Sequence, residues 1–121
     1  MATLTTALTI TSTDASTDVL QLSVTDSLNV GAPMNGPSRV SVPQSGGTAI
    51  LTTGQAVRTH IYVKNMDSAD NLIMKTAGGA ILGILAPLEW TFFTLYPDQG
   101  LTLFSEETGP CDAEYAYWSK A

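Results

Sequence analysis

The sequence predicts an all-β fold, a single-domain antiparallel β-sandwich or jelly-roll-like barrel. Three observations carry this. Apolar and polar residues alternate with a period of two over most of the chain, the signature of a half-buried strand. No window combines apolar residues at i, i+3, i+4 and i+7 with good helix formers. Gly, Pro, Asn and Asp recur between short alternating runs, at the spacing of a sandwich or barrel.

The first strand is expected over Thr3 to Thr13. Leu4, Leu8 and Ile10 share one parity with Ala2 and Thr6, and a ladder of threonines takes the other. Ser12 to Asp18 is turn-rich, and Leu20, Leu22 and Val24 then alternate against Gln21, Ser23 and Thr25 in a second strand. Asn29 to Ser38 holds Gly31, Pro33, Gly36 and Pro37 and is predicted as the main loop of the first half, because two prolines and two glycines oppose regular pairing. Arg39 to Pro43 is a short strand with Val40 and Val42 inward. Gln44 to Gly47 turns, Thr48 to Thr53 continues as strand, and Gly54-Gln55 breaks it.

In the second half, Val57, Thr59, Ile61 and Val63 alternate against Arg58, His60, Tyr62 and Lys64. Asn65 to Asn71 is a polar hairpin connection, with Leu72 to Thr76 as its return strand. After Gly78-Gly79, the run Ala80 to Leu85 is apolar throughout and reads as a strand buried on both faces. Pro87-Leu88 turns into Glu89 to Tyr96, and Pro97 to Gly100 is a turn in which Pro presets φ and Gly accepts a positive one. Leu101 to Ser105 is the penultimate strand and Glu106 to Pro110 a loop. Cys111 to Trp118 closes the fold, with Cys111, Ala113, Tyr115 and Tyr117 on one parity.

The chain has 121 residues, which suits one domain, residues 1–121. Residues 1–13 form either an extended N-terminal arm or an edge strand. Only 13% of residues are charged, about half the usual share, and neutral hydroxyls supply the polarity. The net charge is −6, and the five basic residues Arg39, Arg58, Lys64, Lys75 and Lys120 are scattered. That pattern opposes nucleic-acid binding, which relies on clustered Lys and Arg, and opposes attraction to an anionic membrane. The N-terminus lacks a basic region followed by an apolar one, so no secretory signal is expected. The longest apolar run is too short to span a bilayer. Synthesis in a cytoplasm follows as the expectation.

Catalysis needs a base beside a nucleophile or a metal. His60 is the only histidine and Cys111 the only cysteine. His60 lies mid-strand and reads as a surface histidine of the sheet, and Cys111 as a partly buried structural thiol. Asp67, Asp70 and Asn71 share a loop but lack the EF-hand spacing, and turn chemistry accounts for them. Glu106, Glu107, Asp112 and Glu114 read as a solvated acidic face able to meet a basic partner. Gly46-Gly47 and Gly78-Gly79 lead into no phosphate-binding helix. The expectation is therefore no catalytic residue, no metal, no cofactor and no small-molecule substrate.

Four segments resemble a known group. Thr59 to Lys75 looks like the "Y-I-K/T-N-x-D-x-x-N-x-V" hairpin of small virion proteins of tailed bacteriophages. Ile84 to Phe93 resembles their "L-A-P-G-E-x-x-x-F" turn and strand, Ala113 to Trp118 their closing strand, and Arg39 to Pro43 their "R-x-V-x-V-P" segment. Order and spacing agree over most of residues 39 to 118. Leu88 stands where those proteins carry Gly, and the N-terminal third matches only in being Thr-rich and extended. The resemblance implies a virion structural protein, a capsid decoration or cement subunit that binds the major capsid protein or another virion protein. It also leaves room for a neck, tail or fibre-base location.

Such a protein works by contact, so outward apolar and aromatic residues are the candidate interface: Leu4, Leu8, Ile10, Met34, Trp90, Tyr96 and Trp118. Low surface charge and open strand edges favour a homo-oligomer. A carbohydrate-binding module using Trp90, Tyr96 or Trp118 as sugar platforms is the alternative from another class.

Overall fold

The computed structural model describes residues 2–15, 17, 19–51, 57–107 and 109–121, with the backbone alone of Pro33. Among these, nine strands run in chain order: β1 (Ala2–Ser12), β2 (Leu20–Val42), β3 (Thr48–Leu51), β4 (Thr59–Asn65), β5 (Leu72–Lys75), β6 (Ile81–Leu85), β7 (Trp90–Leu95), β8 (Leu101–Ser105) and β9 (Cys111–Lys120). They form two antiparallel sheets. The larger has the order β1-β2-β9-β4-β7 and the smaller β3-β8-β5-β6. The expected all-β sandwich is therefore present. The pairings are nested, since β2 lies on β9, β3 on β8, β4 on β7 and β5 on β6. Contacts of β9 with β4 and of β8 with β5 complete the two sheets.

Side-chain alternation assembles the core between the sheets. Val42, Ile61, Val63, Leu95 and Ala113 come from the large sheet and Leu72, Met74, Leu85, Leu101 and Leu103 from the small one. Each large aliphatic buried in this way contributes roughly 1.5–3 kcal/mol. Phe93 packs on the core while Phe92 points to the opposite face, as adjacent strand residues must. Tyr115 and Tyr117 pack against the same core from β9.

Three expectations are corrected. The predicted loop Asn29 to Ser38 is instead part of β2, a single strand of 23 residues. The register of β2 on β9 slips between Gly31 and Met34 and again between Asn35 and Ser38. Pro33 and Pro37 stand inside those slips, where a residue without an N–H costs no ladder bond. The apolar run Ala80 to Leu85 is not buried on both faces: β6 is an edge strand, and Ile81, at 70% exposure, Leu82 and Ile84 stand in solvent. An unbroken apolar run does not by itself tell a central strand from a sticky edge. Third, His60 is only 6% exposed, for a reason given below. The predicted strand beyond Leu51 and the break at Gly54-Gln55 lie outside the described residues, as do Ser16 and Asp18 of the first turn.

Positive φ recurs in several turns, and two of them show what it requires. Gly47 has φ +65°, and a Cβ there would meet the Phe104 ring at 2.7 Å and Thr102 at 2.8 Å. The turn from β6 to β7 closes by donation from the Glu89 N–H to the Ala86 carbonyl at 3.0 Å, while the Ala86 N–H donates to the Glu89 carboxylate at 2.6 Å. Its third residue, Leu88, has φ 67°, the left-handed value that such a turn normally gives to Gly. The turn geometry is thus kept without the residue that suits it.

Candidate functional site

β1 and the first half of β2 form a two-stranded arm. Their register pairs Leu4 with Leu28, Thr6 with Asp26, Leu8 with Val24, Ile10 with Leu22 and Ser12 with Leu20. Period-two geometry therefore collects the aliphatic residues on one face. The other face carries Thr3, Thr5, Thr9 and Thr11 opposite Asn29, Ser27, Ser23 and Gln21. At the arm's end Ser12 Oγ accepts from the backbone N–H of Ala15 at 2.9 Å and donates to Asp14 Oδ1 at 3.0 Å. Leu8, Ile10, Leu20, Leu22 and Val24 are all exposed, so the apolar face has little to pack on.

Opposite the arm lies the outer face of the large sheet. Register places Met34, Trp118, His60 and Thr94 in one row across β2, β9, β4 and β7. Ala116, Tyr62 and Phe92 form the next row, and Arg39, Glu114, Lys64 and Trp90 the third. An outer sheet face this rich in aromatics is unusual for a solvated surface. Between it and the arm runs a groove of about 840 Å³ lined by Leu8, Val24, Tyr62, Lys64, Trp90 and Phe92, among others. Trp90 is 53% exposed there.

The arm's base covers His60. A smaller hollow of about 470 Å³ is lined by Ser27 and Asn29 of the arm with Arg58, His60, Thr94 and Lys120. His60 Nδ1 lies 2.9 Å from Thr94 Oγ1, and its ring stacks on Phe92 at 6.1 Å and 12°. His60 Nε2 is buried with no partner among the described residues. Burial first, then the Arg58 and Lys120 charges, holds the imidazole pKa below its usual value, with Asp26 opposing. Burial and the lowered pKa suit a neutral packing histidine.

Tyr62 donates its hydroxyl to Glu114 Oε1 at 2.9 Å, which together with burial raises the phenol pKa. Arg39 approaches the other oxygen of Glu114 at 4.0 Å; with the arginine side chain largely in solvent, that pair adds little stability. Cys111 is fully buried, and burial foremost pushes its thiol up to about 11. In the β4–β5 loop Asp67 Oδ2 accepts from the N–H groups of Ala69 and Asp70, at 3.0 and 2.8 Å, which lowers its pKa. Among the described residues no three His, Cys, Asp or Glu side chains converge on a possible cation position.

Of the candidate interface residues, Leu8 and Trp90 come together across the groove. Ile10 continues the arm's apolar face, and Leu4 is half-buried at its base beside Leu28. Met34 is exposed and Trp118, its register partner, half-buried. Tyr96, at 74% exposure, stands apart, beyond the end of β7. Leu20, Leu22 and Val24 are missing from the sequence-based candidates because their alternation reads equally well as a core face. Ile81, Leu82, Ile84 and Leu88 are missing because their run reads as a buried strand.

No protein-family model matches the chain, and no curated protein matches it.

Proposed function

We propose that this chain is a virion structural protein of a tailed bacteriophage, a capsid decoration or cement subunit acting through contacts with the major capsid protein. The observation that carries this reading is the placement of apolar surface outside the core. One band covers the arm, and a second covers the β6–β7 edge through Ile81, Leu82, Ile84 and Leu88. Contiguous exposed apolar surface of this kind marks protein-binding surface. Leu88, exposed at the turn that follows β6, adds to it.

Two further points support the reading. The nested strand pairing favours a jelly roll, an architecture frequent in viral shells, although architecture by itself assigns no function. The segments that resemble phage virion proteins form the end of β2, the β4–β5 hairpin, the β6–β7 turn and β9, contiguous parts of one sandwich.

The test is mass spectrometry of purified particles together with binding of the isolated protein to assembled capsids. Presence at hundreds of copies per particle and saturable capsid binding are expected. About a dozen copies would move the protein to the neck or tail. Absence from virions would overturn the reading.

A further inference from the structure

We propose that the groove between arm and sheet receives the apolar end of the arm of a second copy, so that two copies clasp each other. The inference is independent of the virion reading. Each chain carries both halves of such a contact. The arm's end presents Ile10, Leu20 and Leu22, all exposed, whereas the groove's lining from the arm stops at Leu8 and Val24. Among the described residues, Ile10, Leu20 and Leu22 therefore lie beyond the stretch of arm that faces the aromatic wall. The groove has such a wall, Tyr62, Trp90 and Phe92, and its volume of about 840 Å³ leaves that wall incompletely covered. A two-stranded ribbon with one aliphatic face has the shape and chemistry to fill it. Reciprocal exchange makes the contact isologous, which closes at two copies.

Charge selects the same occupant. The first thirty residues contain Asp14, Asp18 and Asp26 and no Lys, Arg or Glu. Four of the five basic residues, Arg39, Arg58, Lys64 and Lys120, belong to or flank strands of the large sheet. Lys64 lines the groove itself, and Arg39 shares its row across the sheet. Glu114 stands between the two and takes up Arg39, so Lys64 is the cation that the groove itself offers to an acidic arm, in a chain whose overall −6 would repel an unselective contact.

The experiment is sedimentation equilibrium of the full chain, with variants at exposed positions. The wild type is expected at twice the 12.7 kDa chain mass. Ile10→Asp/Leu22→Asp is expected to be monomeric and still folded, with a melting temperature that no longer depends on protein concentration, and Lys64→Glu to weaken association at least about tenfold. A mixture of Leu22→Cys and Trp90→Cys copies is expected to oxidise to a cross-linked heterodimer, Cys111 being buried. A monomeric wild type at the highest attainable concentration would overturn the proposal. So would an intact dimer in both charge variants, or cross-links found only between Leu22→Cys copies, which would set arm against arm. If the double variant unfolds, Lys64→Glu and the cross-linking decide.

Discussion

The Cys111 thiol donates to Asn65 Oδ1 at 3.2 Å, and the same side-chain amide donates to the carbonyls of Asp70 at 2.8 Å and Leu85 at 3.0 Å. Asn65 Oδ1 also accepts from the Asp67 N–H at 2.9 Å. One buried amide thus ties the end of β4 to the following loop, to the end of β6 and to the start of β9.

Asn65→Ala is expected to be among the most damaging single changes. It removes a hydrogen-bond partner from two carbonyls, a backbone N–H and a thiol, and a buried group left unpaired costs about 1–3 kcal/mol. Urea denaturation should show a loss of at least about 3 kcal/mol. A loss under about 1 kcal/mol would show that the network is dispensable.

Cys111 should be silent toward thiol reagents in the native protein. Its pKa of about 11 leaves almost no thiolate at pH 8, and the sulfur is buried. A thiol with a raised native pKa stabilises the fold below the unfolded value, and that contribution fades as pH climbs. Stability should therefore decline from about pH 9, the ordinary thiol value, towards about pH 11. Cys111→Ala should remove that part of the alkaline slope. Rapid native labelling at pH 8 would contradict the assignment.

His60 sets the opposite limb. Its native pKa is lowered, so the unfolded chain takes up a proton near pH 6.5 that the folded chain refuses. Stability should fall as pH drops below about 6.5, with a slope of up to about 1.4 kcal/mol per pH unit, and be indifferent to this residue above it. His60→Gln should flatten the profile just below about pH 6.5. Identical profiles for the two proteins would refute the buried neutral imidazole.

Leu88→Gly should stabilise. The left-handed backbone costs a residue with a Cβ about 1–2 kcal/mol, while Gly adds up to about 1 kcal/mol of unfolded-state entropy. A net gain of roughly 0.5–1 kcal/mol is expected. If Leu88 belongs to the contact surface, the same variant should bind capsids more weakly. A lower melting temperature would contradict the strain argument.

Gly47→Ala should do the reverse. The φ of +65° disfavours any Cβ, and the Phe104 ring and Thr102 would have to move. About 2 kcal/mol or more of stability should be lost.

Strand positions and inward faces were largely legible in the sequence, because period-two alternation is a local property. Ile61 and Val63 inward, with Tyr62 and Lys64 outward, needed nothing beyond the residues themselves. What covers an outward face is not local. His60 reads as a surface residue until β2 brings Ser27 and Asn29 over it. Leu20, Leu22 and Val24 announce an apolar face without saying whether a core lies under it. Gly31, Pro33, Gly36 and Pro37 argue against a strand, yet two register slips take Pro33, Gly36 and Pro37 out of the ladder while Gly31 keeps its place opposite Ser119.

The continuity of β2 has a mechanical consequence. The strand that forms half of the arm also runs along β9 as far as Val42. A pull on the arm along its axis therefore loads the β2–β9 rungs in shear, all together, instead of peeling them one at a time. Any yielding should begin at the slips beside Gly31 and Gly36, where rungs are missing, so the arm can flex without the sandwich coming apart.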